Sequence, residues 1–312
     1  MTTEHLYDVS IILPVYNESG HLTDEIDRIR KAMNESEYSY EIIVVDDGST
    51  DGSGDRLRGI EGIRLIQFAQ NQGAGSARRW GTDSARGRVV AWTDVDMTYP
   101  NEEIPDLVRE LDERGLDQMV GARTSEQGTV KLLRAPAKWF IRTLASYLTG
   151  TRIPDLNSGM RVFRREVAAQ FLHLLPRGFS CVTTITMAFL ANGYFVGYRP
   201  IDYFAREGES KFHWWTDTRR YVVQVLRMTL MWEPMRVFGA LSAILGTVGV
   251  LKVLFDIVDK GFRIATNTLV ILGVTGLTLM VGLLADLLVQ VARRPTVVPP
   301  RSKTEPTKRE TA

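Results

Sequence analysis

VVAWTDVDMTYP (Val89 to Pro100) passes from an unbroken apolar run to a pair of carboxylates in a few residues. A short continuous apolar run bounded by turn signals reads as a strand buried on both faces. Residues i and i+2 of an extended chain project to one side, so Asp94 and Asp96 face a common point. Two hard oxygen ligands suit Mg2+ or Mn2+, with phosphate oxygens completing the shell. A solvated acidic turn has the same three letters, so the surroundings decide.

Upstream, Val9 to Val15 reads as a strand, followed by a helix with Leu22, Ile26, Ile29 and Met33 at helical spacing. Glu41 to Val45 is a second strand, ending on Asp46-Asp47-Gly48-Ser49, and Ile63 to Phe68 a third. Gly73 to Ser84 is a helix rich in small residues, and the quoted stretch supplies the fourth strand. Ile104, Leu107, Val108 and Leu111 stripe another helix, before a fifth strand over Gln118 to Ala122. Strands alternating with helices predict an α/β fold with a mostly parallel sheet covered on both faces. Ligands bind such sheets beyond the carboxyl ends of the strands. Asn17-Glu18, Asp46-Asp47, Asp94-Asp96 and Arg123 all fall at those ends. Asp46 and Asp47 suit a base N–H or ribose hydroxyls, although a self-capped Asp-Gly turn also accounts for one of them. The Gly73-Ala74-Gly75 start of a helix permits close backbone approach and favours anions.

The second half begins with a basic helical stretch over Lys131 to Leu148, then a helix from Thr183 to Asn192 and an edge strand from Tyr194 to Tyr203. Arg206 and Lys211 share a loop, and Arg134 and Lys138 add positive charge. His213 to Trp232 reads as an amphipathic helix lying at a membrane surface, with Trp214, Trp215 and Trp232 in the aromatic belt. Val237 to Val258 and Thr268 to Ala292 are mainly apolar runs of 22 and 25 residues. Either reaches about 33 Å or more as a helix, enough for a hydrocarbon core. The expected organisation is therefore a catalytic domain over 1–212, an interfacial helix over 213–236, a transmembrane hairpin over 237–292 and a disordered basic tail over 293–312. Basic residues flank both ends of the hairpin, which puts both termini in the cytoplasm. Lys252 and Asp256, four apart, can pair on one helix face. Snorkelling to the nearest interface is the simplest account of these two and of Asp286. Gly246, Gly249, Gly273 and Gly276 permit tight packing against copies of the chain, so a homo-oligomer is expected.

The 312 residues carry a net charge of +1, which speaks against a nucleic-acid binder. The one cysteine, Cys181, forms no intramolecular disulfide and fits a reducing compartment. The four histidines lack zinc-ligand spacing. MTTEHLYDVS has neither a basic n-region nor an apolar h-region, so no signal peptide is expected.

VSIILPVYNE (Val9 to Glu18), IIVVDDGSTDGS (Ile42 to Ser53), NQGAGSARRWGTDSARG (Asn71 to Gly87), WTDVDMTYPNEEIPDLV (Trp92 to Val108), GAR (Gly121 to Arg123), DLNSGMRVFRR (Asp155 to Arg165) and REGESKF (Arg206 to Phe212) together resemble glycosyltransferase family 2. Within it they resemble the dolichyl- or polyprenyl-phosphate sugar synthases, a subgroup of which also carries two C-terminal transmembrane helices. The resemblance implies a GT-A fold. Pro14, Tyr16, Glu18, Asp46, Asp47 and Gly73 would cradle the nucleotide of a UDP- or GDP-hexose, and Asp94 and Asp96 would hold Mg2+ or Mn2+ on its diphosphate. Arg206 and Lys211 would also sit on the diphosphate, and Arg123, Arg134 and Lys138 near the phosphate of a polyprenyl acceptor. Thr98 stands where relatives often carry Gln, and Lys138 where they often carry Ser. The implied reaction is an inverting displacement at the sugar C1 by the lipid phosphate, which needs no general base. A hydroxyl acceptor would need one, and Asp155 is its best-placed candidate. A membrane subunit that binds nucleotide-sugar without turnover is a further alternative.

Overall fold

The computed structural model describes residues 5–124, 146, 153–178, 180–204, 223, 226–227, 229–261 and 263–292. The helix expected over 131–148 (apart from Ser146), most of that over 213–232 and the tail over 293–312 lie outside the described residues, as do Arg134, Lys138, Arg206 and Lys211.

The first half alternates as expected, with one further short helix between the second and third strands. β1 (Tyr7–Val15), α1 (Leu22–Asn34), β2 (Tyr40–Asp46), α2 (Ser53–Arg58), β3 (Arg64–Gln67), α3 (Ala74–Ser84), β4 (Gly87–Trp92), α4 (Ile104–Glu113) and β5 (Gln118–Arg123) follow in order. α1 opens with Asp24 and Glu25 and closes near Lys31, matching the helix dipole at both ends. Beyond come β6 (Arg161–Arg164), α5 (Arg165–Ala169), α6 (Cys181–Ala191) and β7 (Val196–Ile201). The sheet order is β3-β2-β1-β4-β6-β5-β7, with β7 at one edge as expected. β6 alone among the seven runs antiparallel to its neighbours β4 and β5. Its reading from sequence is weak because Arg161 and Arg164 bracket only two apolar residues.

Alternation along β1 divides the core. Ile12 joins Ile43, Val45, Trp92 and Phe163 on one face, with α3, α5 and α6. Val9, Ile11 and Leu13 join α1 and α4 on the other, where Leu22, Ile26, Ile29 and Met33 and the stripe Ile104, Leu107, Val108 and Leu111 are all buried. In register, Val15 lies opposite Asp46 and Ile12 opposite Trp92. The carboxyl ends of β1, β2 and β4 therefore open on one edge. Because β6 runs the other way and sets Arg161 against Trp92, the loop before it arrives at that same edge.

Two long helices follow, α7 (Pro234–Lys260) and α8 (Thr266–Ala292), packed along each other. Each holds a 26-residue span long and apolar enough to cross a membrane, with mean hydropathy 2.0 and 2.2. Only 11% of each apolar window is buried, unlike the core helix of a globular domain. Lys252 and Asp256 pair as expected, with Nζ to Oδ1 at 3.4 Å, but the snorkelling account of Asp256 is corrected. Its carboxylate is fully buried at the turn, accepting from the Ala265 N–H at 3.0 Å and from the Thr268 hydroxyl. Asp286 accepts from Gln290 Nε2 at 2.6 Å. Gly246 and Gly249 face Thr275 and Leu272 of the partner helix, so they serve the hairpin itself, whereas Gly273 and Gly276 meet nothing nearby. The described residues between 223 and 232 are helical, and here Trp232 requires a second correction. It is 7% exposed and belongs to the globular core cluster, so its ring is not in an aromatic belt.

Candidate functional site

Three loops are laced together at the carboxyl edge. After β1, the backbone N–H groups of Asn17, Glu18 and Ser19 donate to Ser49 Oγ, Ser53 Oγ and Asp51 Oδ2 of the loop after β2, at 3.1, 3.2 and 3.1 Å. Asn17 Oδ1 accepts in return from the Thr50 N–H at 2.8 Å. Burial raises the Asp51 carboxyl, but the bonds from Ser53 and Ser19 together outweigh it and hold the pKa at about 2. The exposed Tyr16 ring and Glu18 thus stand on a braced loop next to Pro14, which is still within β1.

Asp46 and Asp47 are almost wholly buried. Asp46 accepts from the Ser49 N–H at 3.0 Å and from Gln67 Nε2 at 3.1 Å. Asp47 accepts from the N–H groups of Gln72 and Gly73 at 2.7 and 2.8 Å. Burial pushes the Asp47 carboxyl above the usual range against those two bonds. Both acids therefore hold loops, including the self-capped turn open from sequence for one of them. Gly48, at φ +71°, lets the Asp47–Gly48 turn pass the Gln70 backbone, where a Cβ would lie 2.7 Å from its carbonyl carbon.

At the start of α3, Gly75 N–H donates to the Arg177 carbonyl at 2.7 Å, and Ser76 N–H donates to it at 3.2 Å. Gly73 N–H is held by Asp47, so several donors of this helix start are engaged within the protein.

Asp94 and Asp96 lie at the centre of the edge. Asp94 Oδ1 accepts from Arg78 Nη2 at 2.5 Å. Arg78 is itself buried and lies over the Trp92 ring, 5.7 Å from its centroid. Asp94 Oδ2 faces Gly159, where a Cβ would approach to 2.7 Å. Asp96 Oδ1 accepts from the Thr98 hydroxyl at 2.5 Å and from its N–H at 3.3 Å, across Met97 at φ +59°. Thr98 thereby orients the acid. Beneath them, Asn101 Nδ2 donates to the Asp94 carbonyl at 3.1 Å and to the buried Glu25 at 2.6 Å. Tyr99 accepts from the Gly159 N–H at 2.7 Å, tying the β6 loop to this turn. Each acid is thus steered by a protein donor, and the small Gly159 keeps space on the Asp94 side. The donor set fits Mg2+ or Mn2+. Among the described residues no His, Cys, Asp or Glu makes a group of three with them, so donor phosphates and water would fill the remaining positions.

Asp155 does not fit the expectation of a general base. Its carboxylate takes Arg123 Nε at 2.7 Å and Nη2 at 3.1 Å, with the Arg123 and Asn157 N–H groups at 3.2 and 2.9 Å. Burial alone would raise its pKa, but Arg123 outweighs it and holds the carboxyl below the ordinary range, which leaves it a weak base. Arg123 also lies over the Tyr203 ring at 5.2 Å. Arg78, Tyr99, Asn101 and Gly159 all fall within the segments quoted from the sequence, which assign them no role there. Only their positions in the folded chain link them to Asp94.

The family description "Glycosyl transferase family 2" matches residues 10–172. The dodecaprenyl-phosphate galacturonate synthase of Rhizobium johnstonii is 28% identical, over 94% of this chain and 90% of that protein. The undecaprenyl-phosphate 4-deoxy-4-formamido-L-arabinose transferase of Enterobacter sp. is 30% identical, over 81% and 78%. Among solved structures, glucosyl-3-phosphoglycerate synthase from Mycobacterium tuberculosis, in complex with Mn2+ and UDP-glucose, superposes with a TM-score of 0.57. It is 21% identical, over 72% of this chain and 79% of that one, a likeness of fold alone.

Proposed function

The chain belongs to glycosyl transferase family 2, a family of sugar-transferring enzymes, and on that premise we propose that it moves a sugar from a nucleotide-diphosphate donor to a polyprenyl phosphate in the membrane. The observation that carries this is the pair Asp94 and Asp96, each steered by a protein hydrogen bond at the edge where the first, second and fourth strands end. The acceptor class is supported by two relatives named for polyprenyl phosphates, one of which aligns over nearly the whole chain, the two apolar helices included.

Asp94 and Asp96 would hold a divalent cation, Mg2+ or Mn2+, with their hard oxygens, and the cation when bound would neutralise charge on the donor diphosphate. Arg78 fixes the rotamer of Asp94, and Thr98 that of Asp96. The nucleotide lies along the braced loop of Tyr16 and Glu18, above the turn that Asp46 and Asp47 hold. Arg206 and Lys211 contribute charge to the departing diphosphate. One oxygen of the lipid phosphate forms a bond to the sugar C1 as the C1–diphosphate bond breaks on the opposite face, inverting the anomeric centre. A phosphate monoester is mostly dianionic at neutral pH. No proton has to be removed, which agrees with an Asp155 committed to Arg123. Arg134 and Lys138 are the cations for the acceptor side. The first 212 residues carry the chemistry, and the spans within 234–292 cross the membrane with both termini on the cytoplasmic face.

Washed membranes, labelled nucleotide-sugars and a long-chain polyprenyl phosphate test the reading. Label is expected in the lipid fraction, lost with chelator and restored by Mn2+. Asp94→Asn or Asp96→Asn is expected to lower the rate about a hundredfold or more. An unchanged rate in both variants, or no lipid product with any donor, refutes it; the latter favours a binding subunit.

A further inference from the structure

Trp232 stands where the globular body gives way to the first apolar helix, and it faces inward. Its ring is 7% exposed and joins the core cluster that includes Val182, Ile185 and Phe189 of α6. Its neighbours Val223, Leu226 and Met231 are exposed, whereas Thr229 and Pro234 are buried as it is, so the chain here turns one side inward. Only Glu233 separates Trp232 from Pro234, the first residue of α7. Glu233 sits at φ −138° and ψ 59°, a single sharp joint, and its N–H donates to the Thr229 carbonyl at 2.6 Å. Proline then fixes its own φ, so little slack remains between ring and helix.

The contact continues upward. Val237, less than one turn into α7, packs against the same core cluster. Phe238 fills the place of the absent side chain at Gly282 of α8, where a Cβ would lie 2.6 Å from Phe238 Cβ and 3.2 Å from Met235 sulfur. Trp232 and Val237 thus share the core cluster of the body, and Phe238, next in sequence, meets the second helix. A large aromatic ring with few rotatable bonds suits such a joint, because it contributes much buried area at low entropic cost.

We propose that Trp232 is a positioning residue that fixes the height and tilt of the Asp94–Asp96 edge relative to the bilayer. The inference rests on the lipid-phosphate reading above. A phosphate tethered to a buried chain lies at one depth, set by the headgroup plane. An enzyme held at the matching height meets it as a neighbour, whereas a loosely tethered one must search. A water-soluble acceptor has no fixed depth and is indifferent to the joint.

The test uses the full chain in lipid nanodiscs, as wild type, Trp232→Ala and Trp232→Phe. Spin labels at Glu35→Cys and Val258→Cys, both exposed, report the distance between body and hairpin, while the native Cys181 is buried. The wild type is expected to give a narrow distance distribution, Trp232→Ala a broad one, and Trp232→Phe an intermediate one. For bilayer-embedded polyprenyl phosphate, kcat/KM is expected to fall about tenfold or more in Trp232→Ala. For a short water-soluble isoprenyl phosphate it is expected to stay within about twofold, as is nucleotide binding, because these do not depend on depth. A distribution as narrow in Trp232→Ala as in wild type overturns the proposal, whatever the activity. Equal loss with both acceptors, accompanied by lost nucleotide binding, also overturns it, since that marks general destabilisation. A wild type that labels neither acceptor, yet shows the broadening in Trp232→Ala, refutes the acceptor reading and leaves the joint standing.

Discussion

Arg123 and Asp155 show how much a single pair of side chains constrains the site. Each is largely buried, and the two parallel bonds between them fix the end of β5 against the loop that leads into β6. Removing one member strands the other's charge, which typically costs roughly 3 kcal/mol or more. Asp155→Asn is therefore expected to lower the unfolding temperature in detergent clearly. The pH dependence has a definite sign. A carboxyl whose folded pKa lies below its ordinary 3.8 stabilises the fold above that value, and the contribution disappears as pH falls through the folded pKa. The wild type should lose stability steeply on the acid side, while Asp155→Asn, with no proton to take up there, gives a shallower acid limb. Equal slopes in the two proteins sink this account. No spacing in the sequence announces the pair, because its members are brought together only when β6 turns back against β5.

At the scale of elements, what sequence reveals depends on how local the cause is. Ile104, Leu107, Val108 and Leu111 recur at helical intervals and are all buried in α4. Val9 to Val15 is apolar throughout because β1 is covered on both faces. β6 escapes the same reading, being four residues long with an arginine at each end. The start of α3 holds a contact that sequence does not announce. Its glycines do permit close approach, and a group that approaches is the Arg177 carbonyl, about a hundred residues away in the chain. A Cβ at Gly75 would come within 2.0 Å of the Pro176 carbonyl oxygen and 2.7 Å of that of Gly178. Alanine normally favours a helix, yet Gly75→Ala is expected to destabilise by about 1–3 kcal/mol, through forced displacement of the 176–178 loop. A thermal melt at or above the wild-type temperature refutes that expectation. The acids at 46–47 and 94–96 were legible as a cluster at strand ends. Which of them hold loops and which face the opening was settled by backbone donors that a one-dimensional reading does not locate.

On the scale of the whole molecule, a charged globular body meets a hairpin whose flanks are bare of protein. Val258 and Val291 are 86% and 78% exposed, and most of the large apolar residues along both helices share that condition. Surface of this kind and extent needs lipid. The chain is expected to stay with membranes through alkaline carbonate washing and to be released only by detergent. A chain cut before Pro234 is expected to leave far more readily, and carbonate release of the intact protein refutes the assignment. The buried carboxylate of Asp256 bears on how such a hairpin is made. Its hydrogen-bond donors, the Ala265 N–H and the Thr268 hydroxyl, are synthesised after it, at the entrance to the second helix. Until they emerge, the first helix presents Asp256 to the lipid without these two donors, and a charge in a membrane costs about 2.5–3.5 kcal/mol at the centre and less near an interface. Biogenesis should favour delivery of the two helices as a unit: a ribosome stalled at residue 262 is expected to hold an exposed, poorly inserted nascent segment that commits to the bilayer only when synthesis resumes.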